Sequence, residues 1–371
     1  MENIKVISSE IVDRIVTVDD LIRIYEIDLD KWQIVKKVVN TWESTAKDAE
    51  GNIKVTPNFQ VKLWLESRTY EEDLKKIRQE FIDSVKDISP SAPFLHNKTL
   101  YSENNNEDKH LLEINIFDLH LGKISWDSEV GHTYDIKTAC MLFENAINHF
   151  LNTSKTYNID RIVLPVGNDF FNSDRSHPYN STTKGTPQEE DARWQNTFKT
   201  GRELLVRNIT KLSERAPVDV IMIPGNHDLE RNFYLGDSLE GWFYNNPNVE
   251  VNNNPSSRKY YSYGNVLIGY THGNQEKVAS LPLIMAQEVP NLWASSKYRE
   301  FHLGHIHQKK STVYKPLEEH SGIIVRSMSS LSGTDTWHHS KGYVQNLRTA
   351  EAIIWNKEHG QSANLFYNSK V

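Results

Sequence analysis

The chain has 371 residues, with 42 Lys and Arg against 49 Asp and Glu, a formal net charge of −7. Its 38% hydrophobic and 10% aromatic residues exclude wholesale disorder, and the length admits about two domains of roughly 150 residues each. A single cysteine, Cys140, excludes an intrachain disulfide, no apolar run nears the roughly 18–20 residues of a membrane helix, and Met1 to Asp13 lacks the basic and apolar stretches of a signal peptide, so a cytoplasmic protein without membrane contact is expected.

In chain order, residues 1–90 form a first module. Apolar residues at helical spacing predict a helix over Ser9–Leu29, capped at Thr17, and a second over Lys31–Glu43 with Trp32, Val35, Val38, Val39 and Trp42 on one side. Ile53–Leu65 reads as extended, with Ile53, Val55, Phe59, Val61, Leu63 and Leu65 sharing one parity, and Tyr70–Val85 reads as helical. The pattern is that of a small helical, winged-helix-like accessory module. Its 14 Lys and Arg against 18 Asp and Glu favour a packing or docking role over duplex DNA, although Lys31, Lys36 and Lys37 form a local basic patch. Residues 91–110 are polar and turn-rich, a linker.

Residues 111–371 form the main domain. Strands are predicted at Leu111–Phe117, Arg161–Val166, Val218–Ile223, Val266–Tyr270 and Tyr298–Leu303, and helices at Ile136–Leu151, Thr197–Glu214 and Glu276–Ala286. Ala352–Trp355 and Ala363–Tyr367 are late strands for the same sheet, giving an α/β layout. Each of the first five strands runs into polar residues. They are Asp118-Leu119-His120, Gly167-Asn168-Asp169, Gly225-Asn226-His227-Asp228, Thr271-His272-Gly273 and Gly304-His305-Ile306-His307. Ligand sites in α/β sheets form outside the carboxyl ends of strands, so one edge collects these groups. Two close divalent ions repel, and a shared carboxylate with further anionic and imidazole ligands offsets that repulsion. Read as extended segments, Asp-x-His and His-x-His each put two ligands on one side.

These five motifs, in this order and after these strands, resemble the calcineurin-like metallophosphoesterases over roughly residues 111–335. The resemblance implies a four-layer α/β sandwich of two mixed β-sheets flanked by helices. It also implies a phosphoester hydrolase with two divalent metal ions, Mn²⁺ first, with Fe, Zn²⁺ or Mg²⁺ as alternatives. Carried over, Asp118, His120, Asp169 and His307 hold one metal, and Asn226, His272 and His305 complete the second, with Asp169 bridging. Water activated by the metals attacks phosphorus, His227 assists the leaving oxygen, and Asp228 orients His227. The family has Gly directly before its bridging Asp; here Asn168 intervenes, and Asp174 is the alternative carboxylate.

Among other candidates, His302 lies inside a strand and reads as packing, and His132, His338 and His339 carry no motif. His177, Arg175, Lys184 and Arg193 lie in or just after the long loop that follows Asp169, where a substrate contact competes with plain solvation. Trp194, Phe171 and Cys140 read as packing residues. Within the resemblance, SbcD-like DNA repair nucleases are nearest, which implies DNA as substrate, a possible homodimer and an ATPase partner that nothing in the sequence identifies. A phosphatase or phosphodiesterase on a nucleotide, protein or other small substrate is the alternative, because it requires no long basic groove and the net charge of −7 weighs against a large DNA footprint. A non-catalytic interaction module is the remaining one.

Overall fold

The computed structural model describes residues 4–8, 17–29, 31–47, 51–67, 79, 109–305, 317–320, 322–340 and 348–369. The chain divides into residues 1–84 and 85–371. The first unit holds β1 (Ile4–Ser8), α1 (Val18–Ile24), β2 (Trp32–Lys47) and β3 (Ile53–Ser67), in an antiparallel sheet of order β1-β3-β2. The Thr17 hydroxyl accepts from the Asp20 N–H at 3.2 Å, and the Asp20 carboxylate accepts from the Thr17 N–H at 3.1 Å, a reciprocal cap that starts α1 where the sequence places it. Leu21 then packs on Val61, Leu63 and Leu65, the inward parity of β3.

The helix expected over Lys31–Glu43 is instead most of β2. Its apolar residues fit a helical stripe, but Ile34, Val35, Val38, Val39 and Thr41 are β-branched and favour a pleated backbone. Pairing from Trp32↔Ser67 to Lys47↔Ile53 then satisfies that backbone. Among the described residues the first unit is therefore a sheet with one short helix, and not a helical, winged-helix-like module. Apart from Gln79, the expected helix over Tyr70–Val85 lies outside the described residues, as do the start of the Ser9–Leu29 helix and nearly all of the linker.

The second unit contains two sheets. The six-stranded one has the order β14-β13-β4-β5-β6-β7, from β4 (His110–Asn115), β5 (Ile159–Gly167), β6 (Val218–Ile223), β7 (Val249–Asn252), β13 (Thr349–Asn356) and β14 (Gly360–Asn368). β4 to β7 run parallel, and β13 and β14 add antiparallel. The five-stranded sheet has the order β11-β12-β10-β9-β8, from β8 (Lys259–Tyr263), β9 (Val266–Thr271), β10 (Tyr298–Leu303), β11 (Leu317–His320) and β12 (Ile323–Ser327), with β9, β10 and β12 parallel. Leu111, Val163, Ile221 and Ile353 of the first sheet pack on Val266, Ile268 and Tyr270 of the second.

Helices cover the outer faces. α2 (Asp127–Val130) is one turn. α3 (Ile136–Thr153), α4 (Trp194–Ser213) and α5 (Leu229–Phe243) bury Phe143, Leu205 and Leu239 on the six-stranded sheet. α6 (Leu281–Glu288) and α7 (Pro290–Ser295) cover the other sheet with Leu281 and Met285, and α8 (Thr336–Ser340) follows. The described residues of the second unit thus form a mixed α/β sandwich of helix, sheet, sheet and helix layers. Its five predicted parallel strands lie in the middle of the two sheets, where burial on both faces demands continuous apolar runs. No described helix is long and apolar enough to cross a membrane.

Candidate metal centre

The carboxyl ends of β4, β5, β6, β9 and β10 bring the polar motifs together. Asp169 belongs to two groups of side chains whose ligand atoms lie within 4.8 Å of one another: one with His120 and His227, the other with His272 and His305. The His120 and His227 rings meet edge to face at 4.7 Å between centroids, and the His272 and His305 rings at 4.9 Å. Two imidazole pairs therefore flank one carboxylate. Each group of nitrogens and a carboxylate can hold a divalent ion.

Asp169, and not Asp174, occupies the shared position, so the inserted Asn168 does not displace it. The Asp174 carboxylate instead accepts from Glu230 N–H at 2.9 Å and Arg231 N–H at 3.0 Å, capping the first turn of α5, and from the Thr183 hydroxyl at 2.8 Å. Asn226 belongs with the second group, its Oδ1 2.7 Å from His272 Nε2. Asp118 stands slightly apart from both groups, with its carboxylate oxygens each 3.1 Å from the His305 N–H. His307 lies outside the described residues.

The backbone here is unusual. Six described residues other than glycine have positive φ, and five of them are Asp118 (50°), His120 (48°), Asn168 (49°), Asp169 (64°) and His305 (66°). Left-handed backbone is disfavoured for residues with a Cβ and concentrates at functional sites. Asp118 and His120 are thus not on an extended segment, as expected from sequence; two left-handed residues aim them. Their strand end is held against the next by Asp118 N–H to Asn168 O at 2.9 Å and His120 N–H to Asp169 O at 3.0 Å. Glycine is required beside them. At Gly167 φ is 111°, and an added Cβ would stand 1.9 Å from the Ile223 carbonyl oxygen; at Gly225 it would stand 2.0 Å from Asp169 Oδ1. Gly167→Ala is expected to destabilise the fold by about 3 kcal/mol, read as a lower urea midpoint.

His227 is oriented differently from expectation. Its Nδ1 lies 2.8 Å from the Asn172 carbonyl oxygen, which can only accept, so Nδ1 carries a proton and Nε2 points away from that bond. Asp228 does not orient the ring: its carboxylate accepts from Gly225 N–H at 3.0 Å and Phe171 N–H at 3.1 Å, stapling the β6 loop to the loop after β5. Burial, with Asp169 beside it, raises the Asp228 carboxyl well above its ordinary range. The Asn172 carbonyl is a functional group that sequence could not flag, since every residue has one.

The electrostatics call for positive charge. Burial pushes Asp118 up to about 7, with Asp169 adding to the rise. Asp169 is buried too, but the His272 ring and the His227 N–H hold it down to about 2. Burial would lower His272, yet Asp169, 3.1 Å away, outweighs it and lifts the ring to about 9. The carboxylates thus recruit a proton on His272. A divalent cation meets the same need, and mixed nitrogen and oxygen donors without thiolate suit Mn²⁺, Fe, Zn²⁺ or Mg²⁺.

A cleft of about 860 Å³ opens beside these groups, lined by His120, Asn172, Asn226, His227 and His305 and by two cations, Lys123 and Lys184. Lys123 was not singled out in the sequence. It is buried, its Nζ is 2.9 Å from Asp335, and burial lowers its pKa against the pull of that carboxylate. His177, Arg175 and Arg193 are exposed and do not line this cleft. Phe171 is buried as expected, Cys140 is partly buried against the core, and Trp194 lies under the Arg231 guanidinium at 5.5 Å. His302 is buried as well, but as a charged group and not by packing alone. Its Nδ1 is 2.6 Å from Glu113 and its Nε2 3.0 Å from Glu300. No family model and no curated protein matches the chain.

Proposed function

We propose that the chain is a dimetal phosphoesterase with the calcineurin-like metallophosphoesterase sandwich, and that it hydrolyses phosphodiesters in DNA. The observation that carries this reading is Asp169, one buried carboxylate common to two imidazole groups at the carboxyl edge of two packed sheets. Asp118, His120 and His307 belong on one side of it, where His227 stands close by as a proton donor and not as a ligand, and Asn226, His272 and His305 belong on the other. Two divalent ions, manganese first, would acidify water for attack on phosphorus and neutralise charge on the phosphoryl oxygens.

The chain's own groups supply the rest. His227, its Nδ1–H fixed on Asn172 O, turns Nε2 toward the cleft, where a protonated ring hands its proton to the leaving oxygen. Asp228 holds the two loops that carry His227 and Asn172 in register. Lys123 and Lys184 place positive charge where a substrate phosphate would enter.

The cleft also favours a second reading. It has two lysines, one of them paired with Asp335, and Glu189 on its wall, so it is no long basic groove. A phosphodiesterase or phosphatase acting on a nucleotide or other small substrate needs no more than this. The test incubates the protein with Mn²⁺ and labelled single- and double-stranded DNA, bis-p-nitrophenyl phosphate and p-nitrophenyl phosphate. Cleavage of DNA and of the diester is expected. Hydrolysis of the monoester alone overturns the nuclease reading in favour of a phosphatase. No turnover of any substrate with Mn²⁺, Fe²⁺, Zn²⁺ or Mg²⁺ overturns the phosphoesterase reading.

A further inference from the structure

Among the described residues, two lysines are the only Lys or Arg side chains that line the cleft of the second unit, and the first unit carries a surface of a different kind. β2 and β3 continue past the part of the sheet that α1 covers as a two-stranded ribbon. Directly opposed residues share a face. One face carries the pairs Lys37↔Leu63, Val39↔Val61 and Thr41↔Phe59, whose inner end packs under α1.

The opposite face carries Lys36↔Trp64, Val38↔Lys62, Asn40↔Gln60, Trp42↔Asn58, Ser44↔Thr56 and Ala46↔Lys54. These positions hold three lysines, two tryptophans and three side-chain amides, on a chain whose formal charge is −7; the same face meets a carboxylate, Glu66, only past Trp64, at the pair Gln33↔Glu66. Trp42 is 40% exposed, and Lys36 Nζ stands 4.9 Å over the Trp64 ring. Asn58 Nδ2 donates to Ser44 Oγ at 3.0 Å, tying the two strands together across this face. Ten rises of about 3.3 Å between eleven residues make a track about 33 Å long.

We propose that this ribbon face binds single-stranded nucleic acid, with Lys36, Lys54 and Lys62 on the phosphates and the exposed Trp42 ring stacked on a base. Phosphates take cations, and every unstacked base offers a π-face to an indole, so the pairing does not depend on sequence. A duplex hides those faces, which selects the single strand. The inference deepens the nuclease reading and rests on it for the purpose of the binding: strand capture by the first unit supplies the affinity that the small, weakly charged cleft does not.

Binding is measured on the full chain by fluorescence anisotropy of a labelled mixed-sequence single-stranded oligonucleotide, in EDTA, so that neither metal nor turnover contributes. The triple variant Lys36→Gln, Lys54→Gln, Lys62→Gln is expected to flatten the slope of log affinity against log salt by about 2. Trp42→Ala alone is expected to weaken binding about tenfold. A control triple in the second unit, at the exposed Lys137, Lys199 and Lys277, removes the same charge and is expected to change neither. Circular dichroism checks that each variant folds.

Undiminished binding by both ribbon variants overturns the proposal. So does an equal loss in the control triple, which would trace binding to net charge. Preference for duplex overturns it as well, and so does a ribbon buried in a dimer, seen as dissociation of the Trp42→Ala variant in sedimentation. Hydrolysis of bis-p-nitrophenyl phosphate without oligonucleotide binding removes the ribbon inference and leaves the phosphoesterase reading standing. Oligonucleotide binding lost on the ribbon variants, without diester turnover, does the reverse.

Discussion

Asp169→Asn is expected to abolish tight binding of divalent ions at both positions and to lower diester turnover by about a thousandfold, equivalent to about 4 kcal/mol of transition-state stabilisation. The reason is geometric. Asp169 is the member common to the two imidazole groups, so its charge is lost to both at once. Calorimetric titration with Mn²⁺ reads metal affinity directly, without turnover. His227→Ala should separate from it: metals still bind, while the rate falls about a hundredfold or more through loss of the proton donor. Should Asp174→Asn abolish metal binding while Asp169→Asn leaves it intact, the shared position is misassigned. The structure gives Asp174 a different task, since both its oxygens are engaged at the start of α5 and on Thr183.

His302→Ala is expected to destabilise the fold by about 3–5 kcal/mol, because it removes the cation between two buried carboxylates and leaves Glu113 with neutral donors alone. Glu113 accepts from His302 Nδ1, from the Tyr270 hydroxyl at 2.9 Å and from Trp355 Nε1 at 2.8 Å, while Glu300 takes His302 Nε2 and Arg326 Nε at 3.0 Å. Burial alone would lower the pKa of this ring, but Glu113 and then Glu300 raise it to about 9. The folded protein thus holds the proton more tightly than the unfolded chain, whose His titrates near 6.5. That contribution, about 3 kcal/mol, is fully present below about pH 6.5 and is lost as pH rises through about 9. Urea unfolding across this window should show the decline in the parent protein and a flatter profile in His302→Gln. An equal decline in both would assign the pH dependence to other groups.

The parts of the fold that were legible in the sequence are those where burial enforces one pattern. The central strands Val218–Ile223 and Tyr298–Leu303 match to the residue, because strands covered on both faces or by a second sheet have little freedom in composition. β2 passes for a helix in sequence because most of it is exposed. With no core to impose a period, Trp32, Val35, Val38, Val39 and Trp42 satisfy a helical spacing as well as a strand. α5 went unmarked because Gly236 and Gly241 interrupt its apolar stripe, and Gly236 is there to let Asn253 approach. At the site, residue types and order pointed to Asp169, His120, His227, His272 and His305. What sequence withheld was direction. Asp228 adjoins His227 in the chain, yet it bonds to the N–H groups of Gly225 and Phe171, the latter 57 residues away. His302 looked like packing because nothing nearby in sequence announces Glu113, 189 residues distant.

The five left-handed residues at the strand ends carry a consequence for protein engineering. Each such residue sits about 1–2 kcal/mol above its relaxed conformation, and the surrounding sheets hold it there. Glycine at Asp118, His120, Asp169 or His305 would ease the backbone while deleting a side chain of the candidate centre. Selection for heat resistance alone would therefore erode this centre before it touched the core, and a thermostabilised library needs an activity screen at every round. The ordinary direction of improvement for a scaffold runs, at Asp118, His120, Asp169 and His305, against keeping the proposed centre intact.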